Sequence, residues 1–209
     1  MSKLLYIEAS PRKDRSASIE VAESFLSAYQ DNDSDNQVET LDLWDFKLPE
    51  FDGDTINAKY RVMHGENPSS EESAAWETIT KIADQFKEAD HYLISTPMWN
   101  FSIPYKLKHY IDIISQPGLT WSFSPEEGYQ GLVTGKTATL ILARGGEYSS
   151  SAEAGSMDHQ KPYLEMILGF IGITEIKIIL IEPTLTDAET KTLAITSATE
   201  QAVTHAKLL

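Results

Sequence analysis

The segment that decides the fold is residues 3–18, which read KLLYIEASPRKDRSAS. It opens with a nearly unbroken apolar run over Lys3–Ala9, passes at once into a short basic loop, and continues as a helical pattern after Ser16. A short, continuous apolar run is typical of a strand that is covered on both faces, as in a parallel sheet. The segment therefore predicts the first strand–loop–helix unit of an α/β fold.

The rest of the chain repeats this alternation. Further apolar runs occur at 38–43, 91–96, 137–143 and 174–181. Helical spacing of apolar residues occurs after Ser16 and at 71–89, 103–114, 162–171 and 187–208. Five strands alternating with helices predict a doubly wound, five-stranded parallel sheet with helices on both faces.

Two segments, 44–70 and 116–135, fit no regular element and are predicted to be long loops. No linker or internal repeat is visible. The 209 residues are therefore predicted to form one domain, 1–209.

Composition excludes several classes of function. The chain contains no cysteine, which rules out disulfides, zinc–thiolate sites, iron–sulfur clusters and a catalytic thiol. The formal net charge of −15 predicts no binding to nucleic acid or to anionic membranes. The histidines show no metal-ligand spacing, so no metal is expected. The sequence shows neither a signal peptide nor a membrane-spanning run, and we expect a cytoplasmic protein.

Ligands of a doubly wound sheet bind beyond the carboxyl ends of the strands, which points to the loops 10–15, 97–104 and 144–158. The first loop and the helix start after it offer hydroxyls at Ser10, Ser16 and Ser18, together with three basic side chains. Unpaired N–H groups and the helix dipole make such a position suitable for a phosphate. An equally simple interpretation is that Ser16 only caps the helix and the basic side chains are solvated.

The other two loops favour a planar ligand. Met98, Trp99 and Phe101 can form a flat apolar slot, or they can simply seal the end of the sheet. Gly145 and Gly146 allow the backbone to approach a ligand closely, or they can simply end a strand. Three such loops at one edge favour a ligand that joins a phosphate to a planar ring, which is the shape of a flavin mononucleotide.

Several motifs together resemble the FMN-dependent NADH-azoreductases and NADH:quinone oxidoreductases of flavodoxin-like fold. They are MWNFSIP at 98–104, LKHYID at 107–112, GLTW at 118–121, GLVTGK at 131–136 and RGG at 144–146. The resemblance implies a tightly but non-covalently bound FMN, NADH as co-substrate, a quinone or azo acceptor, and a homodimer with the flavin near its interface. It makes 44–70 and 116–135 candidates for partner and substrate contacts.

The resemblance also implies residue roles. A phosphate site is expected at Ser10, Ser16, Ala17 and Ser18, and ring contacts are expected from Met98, Trp99, Asn100 and Phe101. A second ring edge is expected at Ala143, Arg144, Gly145 and Gly146. The family usually has Tyr where this chain has Trp99 and Ser where it has Ala143, so a phenol hydroxyl and a side-chain donor are lost while the backbone donors remain.

The activity implied is a ping-pong reaction. Hydride passes from NADH to FMN, and a quinone or azo compound then takes the reducing equivalents in the same slot. No side-chain acid or base is required. Backbone donors are expected near Asn100 for flavin N5 and near Gly145 and Gly146 for the O2/N1 edge. Two alternatives stay open: a flavodoxin-type electron carrier docking to a redox protein partner, and an FMN-free regulatory α/β domain.

Overall fold

The computed structural model describes residues 2–209. Its strands, in chain order, are β1 (Lys3–Glu8), β2 (Gln37–Asp42), β3 (His91–Pro97), β4 (Trp121–Ser124), β5 (Gly128–Gly131), β6 (Thr137–Ala143) and β7 (Glu175–Ile181). Five of them form a parallel sheet in the order β2–β1–β3–β6–β7. This arrangement confirms the predicted sheet, and no boundary differs from the sequence-based one by more than one residue.

Helices cover both faces of this sheet. They are α1 (Ala17–Asn32), α2 (Gly53–His64), α3 (Ser70–Lys87), α4 (Tyr105–Ile114), α5 (Ala152–Ser156), α6 (Lys161–Ile171) and α7 (Ala188–Ala206). Within residues 2–209, no helix has the length and apolar character that crossing a membrane requires.

The alternation of side chains along each strand divides the core into two layers. Leu4 and Tyr6 of β1 face one layer, which includes Phe25 of α1 and three alanines of α7. Leu5 and Ile7 face the other layer, which α3, α4 and α6 complete. Because successive strand residues point to opposite faces, a strand covered on both faces is apolar at most of its positions. This explains why β1, β6 and β7 were visible as nearly continuous apolar runs.

The prediction of a loop over 44–70 is wrong for its central part, which contains α2. Asp52 caps this helix, since its Oδ1 accepts a hydrogen bond from Thr55 N at 3.1 Å. Gly65 ends it in the left-handed conformation, with φ of 68°. The only buried residues of α2 are Thr55 and Ala58, so its apolar stripe is too weak to stand out in the sequence.

The prediction of a loop over 116–135 is also wrong in part. This segment contains the antiparallel hairpin β4–β5, in which Phe123 lies opposite Tyr129. The hairpin packs on the end of α6, where Val133 N donates to Ile171 O at 2.8 Å. The hairpin therefore lies outside the main sheet, and it carries a group of aromatic side chains away from the core.

Candidate functional site

The three loops expected to form a site lie side by side at the carboxyl edge of the sheet. They line a cavity of about 180 Å³, whose walls include Ser10, Arg12, Arg15, Ser16, Ala17, Pro97, Met98, Trp99, Ala143 and Gly145. A second cavity, of about 290 Å³, is lined by Met98, Asn100, Phe101, Gly145, Gly146, Tyr148 and Leu185. The two cavities share Met98, Gly145 and Leu185. The two cavities therefore adjoin each other, and we call them together the edge cleft.

At one end of the edge cleft, α1 presents its N-terminus and buried hydroxyls. Ser16 occupies the N-cap position with an extended backbone, but its side chain makes no capping hydrogen bond. Its Oγ lies 3.1 Å from Ser18 Oγ instead. The first N–H groups of any helix lack partners within that helix. Donors of α1 therefore face the same end as the Ser10 and Ser16 hydroxyls, while Ser18 lies behind Ser16 and does not line the cleft.

The basic residues of the first loop divide into two groups. Lys13 is held by two carboxylates, those of Glu8 at 2.7 Å and of Asp42. Burial raises the pKa of Asp42, but the hydrogen bond and charge of Lys13, together with the N–H of Trp44, outweigh burial and hold that pKa below its usual range. Arg12 and Arg15, in contrast, line the cleft. The positive charge that this loop offers to a ligand therefore comes from the two arginines and not from Lys13.

The loop after β3 forms a tight turn. Trp99 N donates to Ser102 O and Ser102 N donates to Trp99 O, both at 2.9 Å. Between them, Asn100 and Phe101 have φ of 47° and 69°, the pair of positive angles that defines a type I′ turn. Asn tolerates this region, but for Phe it costs on the order of 1 kcal/mol or more. Among residues 2–209, no acceptor lies within reach of Asn100 N–H.

Trp99 is supported by a neighbouring aromatic group. Its ring centroid lies 5.8 Å from that of Trp44 and 6.5 Å from that of Tyr105. Trp44 is itself fixed, because its Nε1 donates to Ala9 O at 3.1 Å. The aromatic wall of the cleft is thus tied to the end of β1, from which the hydroxyl-bearing loop departs.

The loop after β6 contributes backbone and not side chains. Gly145 and Gly146 line the second cavity, and their N–H groups meet no acceptor within the described chain. The side chain of Arg144 lines neither cavity: it is 1% exposed and pairs with Asp158 and Glu182. Ala143 O accepts a hydrogen bond from Met98 N at 2.8 Å, which joins this loop to the one after β3.

Three wall residues of the edge cleft were not expected from the sequence. Thr184, Leu185 and Lys191 come from the segment after β7. Since β7 is also a parallel strand of the sheet, its carboxyl end lies at the same edge. The topology of the sheet alone therefore places this segment beside the other three loops.

The cleft walls carry arginine, lysine and tyrosine side chains but no carboxylate and no histidine. Within the described part of the chain, no three His, Asp or Glu side chains come together as a metal site would require. These walls can bind and orient a ligand through hydroxyls, backbone N–H groups and aromatic faces.

Comparison with known proteins gives matches over nearly the whole chain. Residues 2–206 match a family model described as flavodoxin-like fold. A protein of Desulfotalea psychrophila named FMN-dependent NADH:quinone oxidoreductase is 56% identical over 209 residues, covering 100% of this chain and 98% of the relative. A relative with the same name in Nitratidesulfovibrio vulgaris (strain DP4) is 47% identical over 88% of each chain.

Solved structures also match nearly the whole chain. A crystal structure of azoreductase from Bacillus anthracis str. Sterne has a TM-score of 0.92 at 31% identity, with complete coverage of both chains. A FMN-dependent NADH-azoreductase from Bacillus anthracis str. Ames Ancestor, crystallised in complex with FMN, has a TM-score of 0.87 at 30% identity. That comparison covers 99% of this chain and 100% of the other.

Proposed function

Because this chain belongs to the family of FMN-dependent NADH:quinone oxidoreductases of flavodoxin-like fold, we propose that it binds FMN and passes reducing equivalents from NADH to quinones or azo compounds. The observation that carries this function is the edge cleft, which joins a hydroxyl-lined helix N-terminus to an aromatic slot edged with free backbone donors. The names of the relatives favour this enzyme over an electron carrier.

The cleft fits FMN at both ends. At the α1 end, a phosphate would meet the hydroxyls of Ser10 and Ser16, the N–H groups of Ala17 and Ser18, and the charges of Arg12 and Arg15. At the other end, a planar ring would lie against Met98, Trp99, Asn100 and Phe101, with Ala143, Gly145 and Gly146 at its far edge. The buried side chain of Arg144 would lie behind that edge and support it without contacting the ring.

Bound FMN would supply a ring that accepts hydride from NADH and passes electrons on to a quinone or azo acceptor. The chain itself orients that ring. Asn100 N–H would donate to one side of it, and Gly145 and Gly146 N–H would donate to the other, since none of the three makes a hydrogen bond within residues 2–209. Preorganised backbone donors of this kind stabilise charge as it develops.

The cleft walls hold no carboxylate or imidazole, and hydride transfer to a flavin requires no side-chain acid or base. Both substrates use the same open slot in turn, so the oxidised nicotinamide must leave before the acceptor enters. Ping-pong kinetics are expected for this reason.

We further propose that residues 1–209 act as a single FMN-binding domain, that two copies form a homodimer, and that the enzyme works in the cytoplasm, where NADH is available. Support for the homodimer comes from an exposed apolar patch. Phe123 and Tyr129 of the hairpin and Met166 of α6 are all largely exposed in the single chain. A patch of this kind on one face is typical of an interface.

The function is tested by spectroscopy and turnover. The purified protein is expected to be yellow, with one FMN per chain, and to oxidise NADH when a benzoquinone is added without any protein partner. Turnover that requires a redox protein would indicate the electron carrier. A colourless protein that neither takes up added FMN nor oxidises NADH would overturn the proposal.

The phosphate end is tested by replacing Ser16 with Ala. A hydrogen bond to a charged group contributes about 1.5–3 kcal/mol, so FMN affinity is expected to fall roughly tenfold or more. Affinity for riboflavin, which lacks the phosphate, should stay the same. The measurement is quenching of flavin fluorescence during titration.

Ser24→Ala is the matched control, because Ser24 lies on the same helix and its Oγ bonds only to Glu20 O, at 3.2 Å. If Ser16→Ala bound FMN as tightly as this control, the phosphate would not lie at the start of α1.

A further inference from the structure

We infer that Arg144 is a positioning residue that sets the separation between the two backbone-donor edges of the cleft, the Asn100–Phe101 turn and the Gly145–Gly146 loop. This inference rests on the proposed function, since it assigns a role in binding the flavin ring. Its basis is that one buried guanidinium bonds both to the segment that contacts the Asn100–Phe101 turn and to the residue that holds the loop after Gly146.

The guanidinium of Arg144 has three side-chain partners. Nε donates to Gln160 Oε1 at 3.1 Å, Nη2 to Asp158 Oδ2 at 2.8 Å, and Nη1 to Glu182 Oε2 at 3.3 Å. The backbone of Arg144 is engaged as well, because its N–H donates to Ile181 O at 2.9 Å. Arg144 therefore has no freedom to reach a ligand, and it is fixed at both ends.

Through Asp158, Arg144 is connected to the Asn100–Phe101 turn. Oδ1 of Asp158 accepts hydrogen bonds from Gln160 N at 2.9 Å and Lys161 N at 3.0 Å, so this carboxylate fixes the start of α6. The residue that follows Asp158, His159, donates its N–H to Phe101 O at 2.9 Å. The strained turn is thus held by the segment that Asp158 orders.

Through Glu182, Arg144 is connected to the loop that contains Gly145 and Gly146. Glu182 accepts hydrogen bonds from Tyr148 N at 3.1 Å and from Ser149 N at 3.2 Å. These residues closely follow Gly145 and Gly146. The two carboxylates that flank one guanidinium therefore hold opposite edges of the ring slot.

Burial explains why this arrangement is better suited to positioning than to stability. The side chains of Arg144, Asp158 and Glu182 are 1%, 9% and 6% exposed. Removing charged groups from water is costly, and such networks are often no more stabilising than apolar residues of similar size. Their directional hydrogen bonds do, however, impose one geometry on the segments that they join.

The test compares flavin binding in Arg144→Lys, Asp158→Asn and Glu182→Gln, each checked for native circular dichroism. Lys keeps the charge but not the fork of donors, and the two carboxylate variants keep the size of the side chain. Lys81→Gln is the control, because it removes an exposed pair with Glu77 on α3. Dissociation constants are measured for FMN and for riboflavin, together with the visible absorbance of the bound flavin.

We expect the cluster variants to bind FMN and riboflavin about tenfold more weakly, which corresponds to roughly one lost hydrogen bond to the ring. The ratio of the FMN and riboflavin dissociation constants should not change, because these substitutions do not alter the phosphate end of the cleft. The absorbance bands of the bound flavin should shift. Ser16→Ala is expected to show the opposite pattern, a changed ratio with an unshifted spectrum.

Folded variants that bind both flavins as Lys81→Gln does, or that weaken FMN alone, would overturn the role of Arg144 and leave the proposed function intact. If Arg144→Lys fails to fold, the role of Arg144 is judged from Asp158→Asn and Glu182→Gln, by the same dissociation constants and the same absorbance bands. A wild-type protein that binds neither flavin would overturn the proposed function itself, and the inference with it.

Discussion

Replacing Gly131 with Ala is expected to lower the free energy of unfolding by about 3 kcal/mol or more. A Cβ at this position would lie 2.3 Å from Gly172 N and 2.5 Å from Ile171 C. Both are backbone atoms, so no side chain can rotate away to relieve the contact. The hairpin β4–β5 would have to separate from the end of α6. Thermal unfolding at a fixed FMN concentration is expected to show a melting temperature lower by roughly 6–12 °C, at about 2–4 °C per kcal/mol for a chain of this size.

Gly53→Ala provides the control for this substitution. A Cβ on Gly53 meets nothing within 4 Å, and its φ is not in the positive range, so its melting temperature should match or slightly exceed that of the wild type. Equal stability of the Gly131 and Gly53 variants would show that the hairpin does not pack on α6 as described. Because the hairpin carries the exposed aromatic patch, the Gly131 variant is also expected to form dimers less readily.

Acidification is expected to destabilise the protein through His91. This residue lies at the start of β3, with its ring stacked on Phe25 and its Nε2 3.0 Å from Thr139 Oγ1. Burial, with a smaller effect from His205, lowers the pKa of His91 to about 3. In the unfolded chain the pKa is about 6.5. The stability that comes from a neutral His91 is therefore complete above pH 6.5 and is lost as the pH falls towards 3.

The expected loss is about 2 kcal/mol at pH 5 and about 3 kcal/mol at pH 4, both relative to pH 7.5. Carboxylates such as Asp42, whose pKa is lowered in the folded protein, add to the loss only near and below the ordinary aspartate pKa of about 3.9. The free energy of unfolding, measured by urea titration between pH 7.5 and pH 4.5, therefore reports mainly on the protonation of histidine.

In the His91→Gln variant, the free energy of unfolding is expected to depend less steeply on pH. The variant His64→Gln, at an exposed position, should show the same pH dependence as the wild type. A wild-type stability that does not change between pH 7 and pH 5 would contradict the buried, neutral state of His91.

The main sheet was predictable from the sequence for a physical reason. Strands covered on both faces are apolar at most positions, so a run such as Leu4–Ile7 can be recognised as a strand without knowledge of its partners. The two missed elements lack this signal. Helix α2 buries only Thr55 and Ala58, and the hairpin is short, with Gly128 and Gly131 at the ends of β5. Both are stabilised mainly by what they pack against, which a local pattern does not contain.

The convergence of the three loops on the edge cleft was predictable because parallel strands place their carboxyl ends at one edge. The orientation of individual side chains was not. Arg144 is turned inward by Asp158 and Glu182, which lie 14 and 38 residues further along the chain. Trp44 supports Trp99 through a bond to Ala9, 35 residues away. Such contacts depend on the folded chain, so a sequence pattern identifies the loop but not which of its side chains face the ligand.

We propose that the edge cleft holds the whole of FMN, with the phosphate at the start of α1 and the ring between the Asn100–Phe101 turn and the Gly145–Gly146 loop. A crystal structure of the protein with FMN tests this binding mode directly. We expect the phosphate to lie within hydrogen-bonding distance of Ser16 Oγ, and the ring edges to face the N–H groups of Asn100 and Gly145. Density for FMN at another surface, or in the reverse orientation within the cleft, would contradict it.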